Sequence, residues 1–256
     1  MELKILGCHG GESSKHKTSS FLVDGTIALD AGAITSMLSL EEQKAVDSVL
    51  VSHAHLDHIK DLATLADNRC QQGGKTLKIV GVAETIAILE KHFFNDLLWP
   101  DFTRIPTPHG PTVELVTVEP EVSVSLGGDY AVRAVMVNHT IDTCAFVVSS
   151  AGGAIAYSGD TGPTDRFWEV LAQTEDLRAL LMEVSFPDEH HQLAKASGHH
   201  IPETLDVDLA KLDGQRGLPV LLYHIKPVFE ATVEKQLTKI RGQNMEICRL
   251  GEQFIL

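Results

Sequence analysis

Three histidines and an aspartate, His53, His55, Asp57 and His58, stand within six residues of one another. Imidazole and carboxylate are common metal ligands, and both also act in proton transfer. The group directly follows Ser48–Val51, an apolar run typical of a buried strand. On an ideal helix His53 and Asp57 would share one face, whereas the other two histidines would point away from it. A turn after the strand, leading into a helix at Asp57, could direct two pairs of these side chains at two neighbouring points. Such a geometry suits two metal ions better than one.

Composition excludes several classes of protein. The chain has 256 residues, of which 43% are hydrophobic and 22% charged, so it is not a disordered, collagen-like or coiled-coil protein. Its formal charge of −14 argues against partners held by many phosphate contacts, such as a nucleic acid polymer or an anionic membrane. The four cysteines form no C-x-x-C pair, which is typical of reduced thiols. No signal peptide or membrane-length apolar run is visible, so we expect a cytoplasmic protein, with a homodimer as the common default.

The elements that must position these side chains alternate between groups of strands and groups of helices. The periodicity predicts helices over Ser36–Ala45, Asp57–Leu65, Ala83–Leu98, Phe167–Gln173, Pro202–Leu212 and Val228–Ile240. It predicts strands over Leu3–Leu6, Ser20–Val23, Thr26–Leu29, Ser48–Val51, Leu77–Val82, Val113–Val118, Val122–Leu126, Tyr130–Val137, Ala145–Ser149, Ala154–Ser158, Leu180–Val184, Val220–His224 and Met245–Leu250. No repeat or polar linker divides the chain. We therefore expect one layered α/β domain over residues 1–256.

The histidine cluster matches a family signature. The stretch His53-Ala54-His55-Leu56-Asp57-His58 resembles the H-x-H-x-D-H motif of the metallo-β-lactamase superfamily. Further residues match other elements of that superfamily in the expected order: Asp30, His139, Asp160 and His224. Each alone has a simpler interpretation, since Asp30 suits a turn and Asp160 suits a helix cap. Together they follow predicted strands, as ligands on one edge of a sheet should.

This resemblance implies a four-layer αββα sandwich and a centre of two divalent metal ions, with zinc, manganese and iron all compatible. It implies one metal on His53, His55 and His139, and a second on Asp57, His58 and His224. Asp160 and a hydroxide would bridge the two metals. Asp30 would orient a ligand rather than bind metal itself.

A second resemblance concerns proton transfer. Glu183, together with Ser197-Gly198-His199-His200-Ile201-Pro202-Glu203, is similar to a glutamate–histidine pair of two phosphodiesterase branches. These are the class II cyclic nucleotide phosphodiesterases and the tRNA 3′-processing endonucleases. By that resemblance Glu183 orients His199 and raises its pKa, and His199 protonates the leaving oxygen. The chain departs from the pattern at His200, where leucine is common, so His200 stays an alternative acid. Glu183, His199 and Asp57 are the expected catalytic residues.

Charge separates the two branches, because a tRNA-processing nuclease needs basic surface and this chain is acidic. We therefore predict a metal-dependent enzyme that hydrolyses a small-molecule substrate, a 3′,5′-cyclic nucleotide such as cAMP or cGMP, to the 5′-monophosphate. A hydroxide bridging the metals would attack phosphorus. The alternatives are another dinuclear hydrolase, either an RNA 3′-processing nuclease or a thioester or lactone hydrolase, and a non-catalytic metal or nucleotide sensor.

Other histidines carry no assigned role. His9 and His16 lie in a glycine- and serine-rich stretch that could reach the site, and His16, between two lysines, is expected to be exposed. His190 and His191 are expected in a solvated loop that could line the entrance.

Overall fold

Two seven-stranded sheets make up the framework of the molecule. The computed structural model describes residues 1–212 and 217–256. In chain order the strands are β1 (Glu2–Gly7), β2 (Ser20–Val23), β3 (Ile27–Leu29), β4 (Ser48–Leu50), β5 (Leu77–Gly81), β6 (Pro106–Thr107), β7 (Gly110–Pro111), β8 (Val113–Thr117), β9 (Ser123–Gly127), β10 (Tyr130–Val137), β11 (Thr143–Ser150), β12 (Gly153–Tyr157), β13 (Leu177–Glu183), β14 (Pro219–Tyr223), β15 (Asn244–Ile247) and β16 (Gln253–Ile255). One sheet has the order β16-β1-β2-β3-β4-β5-β8 and the other β15-β14-β13-β12-β11-β10-β9, while β6 and β7 form a separate pair.

Short helices connect the strands. They are α1 (Ile34–Met37), α2 (Leu40–Ala45), α3 (Leu56–Ile59), α4 (Leu62–Gln71), α5 (Ala83–Ile88), α6 (Arg166–Ala172), α7 (His191–Ser197), α8 (Pro202–Leu209) and α9 (Glu230–Leu237). A π-helical turn, Leu89–Phe93, continues α5, and 3₁₀ turns cover Asp188–His190 and Pro227–Phe229. In the part of the chain that the structure describes, no helix is long and apolar enough to cross a membrane.

Three apolar clusters account for the layering. One contains residues of both sheets, such as Phe21 of β2 and Phe146 of β11. A second lies between the first sheet and helices α1, α3, α4 and α5, and a third lies between the second sheet and helices α6, α8 and α9. Each sheet is therefore buried on both faces, as the continuous apolar runs of the sequence predict. The predicted αββα sandwich is confirmed.

Strand direction decides where the functional side chains meet. Strands β3, β4, β5 and β8 are parallel to one another, and so are β12, β13, β14 and β15. Strand β10 is antiparallel to β11, which is antiparallel to β12, so β10 runs in the same direction as β12. The carboxyl ends of such strands open on one edge, where loops collect ligands in α/β folds.

Three predicted helices are interrupted or end early in the structure, and the predicted helices Pro202–Leu212 and Val228–Ile240 are each shortened to eight residues, α8 and α9. Ser36–Ala45 is interrupted at Ser39, whose side chain and that of Glu42 cap the start of α2 reciprocally. The predicted helix Asp57–Leu65 is divided into α3 and α4 around Asp61. Ala83–Leu98 stops at Phe93.

The stop at Phe93 has a local cause. The Asn95 side chain accepts hydrogen bonds from the backbone of Leu97 and Leu98, and Asp96 takes a φ of 60°. This side-chain-to-backbone bonding competes with helical bonding. Hydrophobic periodicity does not carry that information.

Candidate metal centre

All seven predicted ligands lie at the carboxyl edge of the two sheets. The loop between β4 and α3 carries His53 and His55, and the first turn of α3 carries Asp57 and His58. The remaining three follow strands β10, β12 and β14: His139, Asp160 and His224. The structure therefore brings together residues that are up to 171 positions apart in the chain.

His53, His55 and His139 form one group. Nε2 of His53 is 2.9 Å from Nδ1 of His55, and Nε2 of His139 is 3.3 Å from the same atom. Burial lowers the pKa of all three imidazoles, which favours the neutral form that binds cations.

Asp57, His58 and His224 form the second group, and Asp160 lies between the two groups. The Asp160 Oδ2 atom is 3.3 Å from Nε2 of His58, 3.3 Å from Nε2 of His224 and 3.9 Å from Nε2 of His53. Asp57 Oδ2 is 3.6 Å from Nε2 of His224. These groupings coincide with the ones that the resemblance implies, and the assignment of ligands stays a prediction.

Polar partners hold four of the five histidines from behind. In each of them Nδ1 makes the hydrogen bond. The Nδ1 atom of His53 lies 3.0 Å from the Ser52 hydroxyl, and that of His58 lies 2.6 Å from the Asp30 carboxylate. The Nδ1 atom of His139 lies 2.9 Å from the Gly198 carbonyl, and that of His224 lies 2.8 Å from the Ser185 hydroxyl. When Nδ1 donates, the lone pair of Nε2 points into the centre. Metal-binding histidines have this arrangement almost always.

Buried atoms without partners support the presence of cations. Among residues 1–212 and 217–256, Nε2 of His58, Nε2 of His224 and Oδ1 of Asp160 are buried and lack any hydrogen-bond partner. A buried polar atom left unbonded is costly, and buried charges are normally paired or coordinate metals. The residues present therefore fit divalent metal ions.

Asp30 lies directly behind the centre and is fully buried. Its carboxylate accepts hydrogen bonds from the Ser52 backbone and hydroxyl at 2.7 Å each, from the Tyr157 hydroxyl at 2.5 Å and from His58 at 2.6 Å. Burial opposes a charged His58, but the Asp160 and Asp30 carboxylates outweigh it and raise the pKa of His58 well above its usual value.

We expect Asp30→Asn to weaken metal binding by about 10- to 100-fold, the usual cost of losing a group that orients a ligand. The metal-free protein should also lose about 2 kcal/mol in its free energy of unfolding, because the three side-chain donors to Oδ2 would face an amide nitrogen that cannot accept. Asparagine tolerates the φ of 55° that Asp30 adopts, so backbone strain does not confuse the result. Metal titration and urea denaturation measure the two effects. Asp24→Asn, at another positive φ, is the control, and equal metal affinity in the two variants would contradict this role.

Glu183 and His199 meet beside the metal ligands. Glu183 ends β13 and is fully buried, and its Oε1 atom lies 3.2 Å from Nδ1 of His199. The same Oε1 accepts from the backbone of Thr161 and His200 at 3.2 and 3.1 Å. The His199 ring stacks on His224, with ring centroids 5.1 Å apart. The pair therefore faces the predicted centre.

Protonation of this pair differs from the expected pattern. Burial lowers the pKa of His199 to about 4, although neighbouring carboxylates oppose this, so the expected rise does not occur. Burial, aided by Asp160, raises the pKa of Glu183 to about 7. Burial therefore favours a neutral imidazole on His199 and a Glu183 carboxyl that is protonated in part near neutrality.

His200 points away from the metal ligands. Its Nδ1 is 3.0 Å from the Thr204 hydroxyl and its Nε2 is 3.6 Å from the Asp208 carboxylate, both on α8. The structure therefore brings His199, and not His200, to the centre.

Sequence reasoning missed Ser185, Ser52 and Gly198. The Ser185 hydroxyl donates to Glu183 Oε2 at 3.0 Å and contacts both His199 and His224. Gly198 has a φ of 66°, and a Cβ there would come within 2.9 Å of the His139 Cα atom. Ser52 directly precedes His53 and Ser185 stands two residues after Glu183, and this proximity in the chain is the only signal that could have indicated the two serines.

The remaining histidines differ in part from expectation. His16 is half-buried rather than exposed, and it contacts His9 and Glu230. His190 is half-buried against Phe229 within a 3₁₀ turn, and His191 begins α7, so the predicted loop is wrong for both. His191 is nevertheless exposed, as predicted, and lines a cavity beside His139 and His199.

Comparison with known proteins gives the family context. The model for the β-lactamase superfamily domain matches residues 21–220. A Yersinia pestis protein, called a probable 3′,5′-cyclic-nucleotide phosphodiesterase, is 28% identical over an alignment covering 100% of this chain and 86% of the relative. The 3′,5′-cyclic-nucleotide phosphodiesterase of Aliivibrio fischeri is 27% identical, with 98% and 88% covered. Crystalline unliganded yeast PDE1 superposes with a TM-score of 0.84 at 21% identity, covering 100% of this chain and 99% of the yeast chain.

Proposed function

The chain belongs to the β-lactamase superfamily, and from that premise we propose that it is a metal-dependent phosphodiesterase of 3′,5′-cyclic nucleotides. The product would be the 5′-monophosphate. The relatives from Yersinia pestis and Aliivibrio fischeri both carry the corresponding name, which supports this substrate class.

The residues that would hold two divalent cations are the seven that meet at the sheet edge. They are His53, His55 and His139 for one ion, Asp57, His58 and His224 for the other, and Asp160 for both. When bound, such ions polarise a phosphoryl oxygen and supply a nucleophile from water at neutral pH. Zinc, manganese and iron all suit this donor set.

The observation that carries the proposal is the buried Glu183–His199 pair. Hydrolysis of a cyclic phosphodiester expels a sugar alkoxide, which needs a proton, and this pair lies beside the predicted ligands, where it would supply one. His199 would donate from Nε2 to the departing 3′ oxygen, because its Nδ1 faces Glu183. As that proton leaves, Glu183, with its pKa raised to about 7, would pass its own proton to Nδ1, so that the imidazole stays neutral and Glu183 becomes a carboxylate.

A cavity next to this pair suits the nucleoside part of the substrate. It measures about 570 Å³, within the range of small-molecule sites. Its lining includes His139, His199, Thr140, Ala194 and Ile201. A cyclic nucleotide could therefore put its phosphate at the centre and its base in a mainly apolar cleft. The acidity of the chain also favours one small anion at the metals over a long polyanion.

A substrate panel tests the proposal. Purified protein loaded with Zn²⁺ or Mn²⁺ would receive cyclic AMP, cyclic GMP, bis-p-nitrophenyl phosphate, a thioester and a precursor tRNA. We expect turnover of at least one cyclic nucleotide to its 5′-monophosphate. Thioester or tRNA cleavage without turnover of either cyclic nucleotide would overturn the proposal.

We expect Thr140→Trp to raise KM for the cyclic nucleotide about tenfold, roughly 1.4 kcal/mol of binding, because the new indole would occupy part of the cavity. Thr140 is exposed at the cavity rim, so the substitution should not disturb folding. The control substrate is methyl p-nitrophenyl phosphate, which has no base, and its KM should change little. An equal rise in KM for both substrates would argue against a base-binding cleft.

A further inference from the structure

We propose that His9, His16 and Glu230 form a third metal site, separate from the centre at the sheet edge, which binds a zinc-like divalent cation. One ligand atom from each residue lies within 4.8 Å of the others. Nε2 of His16 is 3.4 Å from Oε2 of Glu230, and the two imidazole rings meet edge to face with centroids 4.7 Å apart. No residue is shared with the seven predicted ligands.

The spacing and the donor types fit one cation. Ligands at about 2.0–2.1 Å in a tetrahedron lie roughly 3.3 Å apart, close to the separation of the His16 and Glu230 atoms. Two imidazoles and one carboxylate are a common zinc ligand set, with water as the fourth ligand.

Each proposed ligand is held on its outer side by a polar partner. Nδ1 of His16 is 2.6 Å from the Ser13 hydroxyl, and Oε1 of Glu230 accepts from Arg249 at 3.1 Å. Nδ1 of His9 lies 3.2 Å from the Lys17 carbonyl oxygen, and the Lys17 backbone N–H points at the same nitrogen at 3.3 Å. Metal binding through Nε2 requires the tautomer in which Nδ1 donates to the carbonyl, because the Nε2 lone pair is then available. This outer support is typical of metal ligands and is not needed by a simple surface ion pair.

Arg249 does not cancel the negative charge of the site. It also pairs with Glu234, with Nη2 and Oε1 2.7 Å apart, so two carboxylates share one guanidinium. Oε2 of Glu230 remains directed at His16.

The site would connect two segments that enclose a ligand of the main centre. His9 and His16 belong to the loop after β1, and Glu230 begins α9. The backbone of His224 donates to the Cys8 carbonyl at 2.7 Å, and that of Gly10 donates to the Ile225 carbonyl at 3.1 Å. A cation here would fasten the loop across the segment that carries His224.

Metal stoichiometry tests the proposal without using activity. The stripped protein would be dialysed to equilibrium against buffered Zn²⁺, and bound metal per chain measured by mass spectrometry. We expect His16→Ala and Glu230→Gln each to bind one equivalent less than the wild type. His109→Ala, which removes an exposed histidine elsewhere, should bind as much as the wild type. Equal metal content in wild type, His16→Ala and Glu230→Gln would overturn the proposal.

A second measurement isolates the site. In a variant with His53→Ala and His58→Ala, which weakens the main centre, added Co²⁺ should still give one visible absorption band of a nitrogen- and oxygen-ligated ion. That band should disappear when Glu230→Gln is added. With Ser13→Ala, which keeps all three ligands, the affinity for Co²⁺ measured from the band should fall about 10- to 100-fold. A band unaffected by Glu230→Gln would contradict the assignment, and circular dichroism would check that each variant is folded.

Discussion

Replacing His199 with alanine should lower kcat by about 10²–10⁴ while bound metal stays unchanged. This is the usual range for the loss of a general acid. The side chain contacts Glu183 and stacks on His224, but it belongs to neither predicted ligand group. Steady-state kinetics on cyclic AMP or cyclic GMP, with metal analysis of the same sample, measures both effects.

Two further variants separate proton transfer from general damage. His200→Asn keeps a partner for Thr204 and should change kcat only a few-fold, because His200 points toward α8. Glu183→Gln retains the shape of the side chain but cannot return a proton to Nδ1, so kcat should fall while KM changes little. Undiminished turnover in His199→Ala would mean that His200 or water, and not His199, protonates the leaving oxygen.

Removal of the Asp160 carboxylate is expected to have the largest effect on metal content. Burial alone would raise the pKa of this carboxyl, but His224 and His58 outweigh burial and hold it well below its usual value. Asp160→Ala would leave mutually close imidazoles without the anion between them. We expect metal affinity to fall by more than about 100-fold, which exceeds the cost of losing an orienting group, and turnover to fall with it.

The control for Asp160→Ala is Asp142→Ala, an exposed aspartate three residues after His139. It should retain the metal content and turnover of the wild type. Asp160→Asn tests charge alone, since the amide keeps one oxygen as a donor to metal. Two metals per chain retained in Asp160→Ala would refute the bridging role.

The ligand cluster could be predicted from the sequence because its members follow apolar strand runs. His139, Asp160 and His224 each come one or a few residues after such a run, and parallel strands bring their carboxyl ends to one edge. The apolar runs also predicted a layered α/β domain, whereas the four-layer αββα order came from the family resemblance. Family resemblance gave the pairing of residues with each metal, which spacing alone did not.

Other features depend on contacts between distant segments. Ser185 follows β13 and contacts His224, which follows the neighbouring strand β14. Gly198 contacts His139, which lies 59 residues earlier in the chain. Ser185 stands two residues after Glu183, and Gly198 lies in the stretch that resembles the phosphodiesterase pattern, but neither position reveals these contacts. The predicted rise in the pKa of His199 was wrong, because burial lowers it. Burial depends on the whole packed site, whereas the sequence revealed only the carboxylate partner.

The hydrogen bond between Asp30 and Tyr157 joins the end of β3 in one sheet to the end of β12 in the other. The same carboxylate steadies His58, so a competent metal centre requires both halves of the sandwich to be docked. Metal binding should therefore be a late event in refolding. The rate at which the refolding protein takes metal from a colorimetric chelator would then report when the two sheets dock.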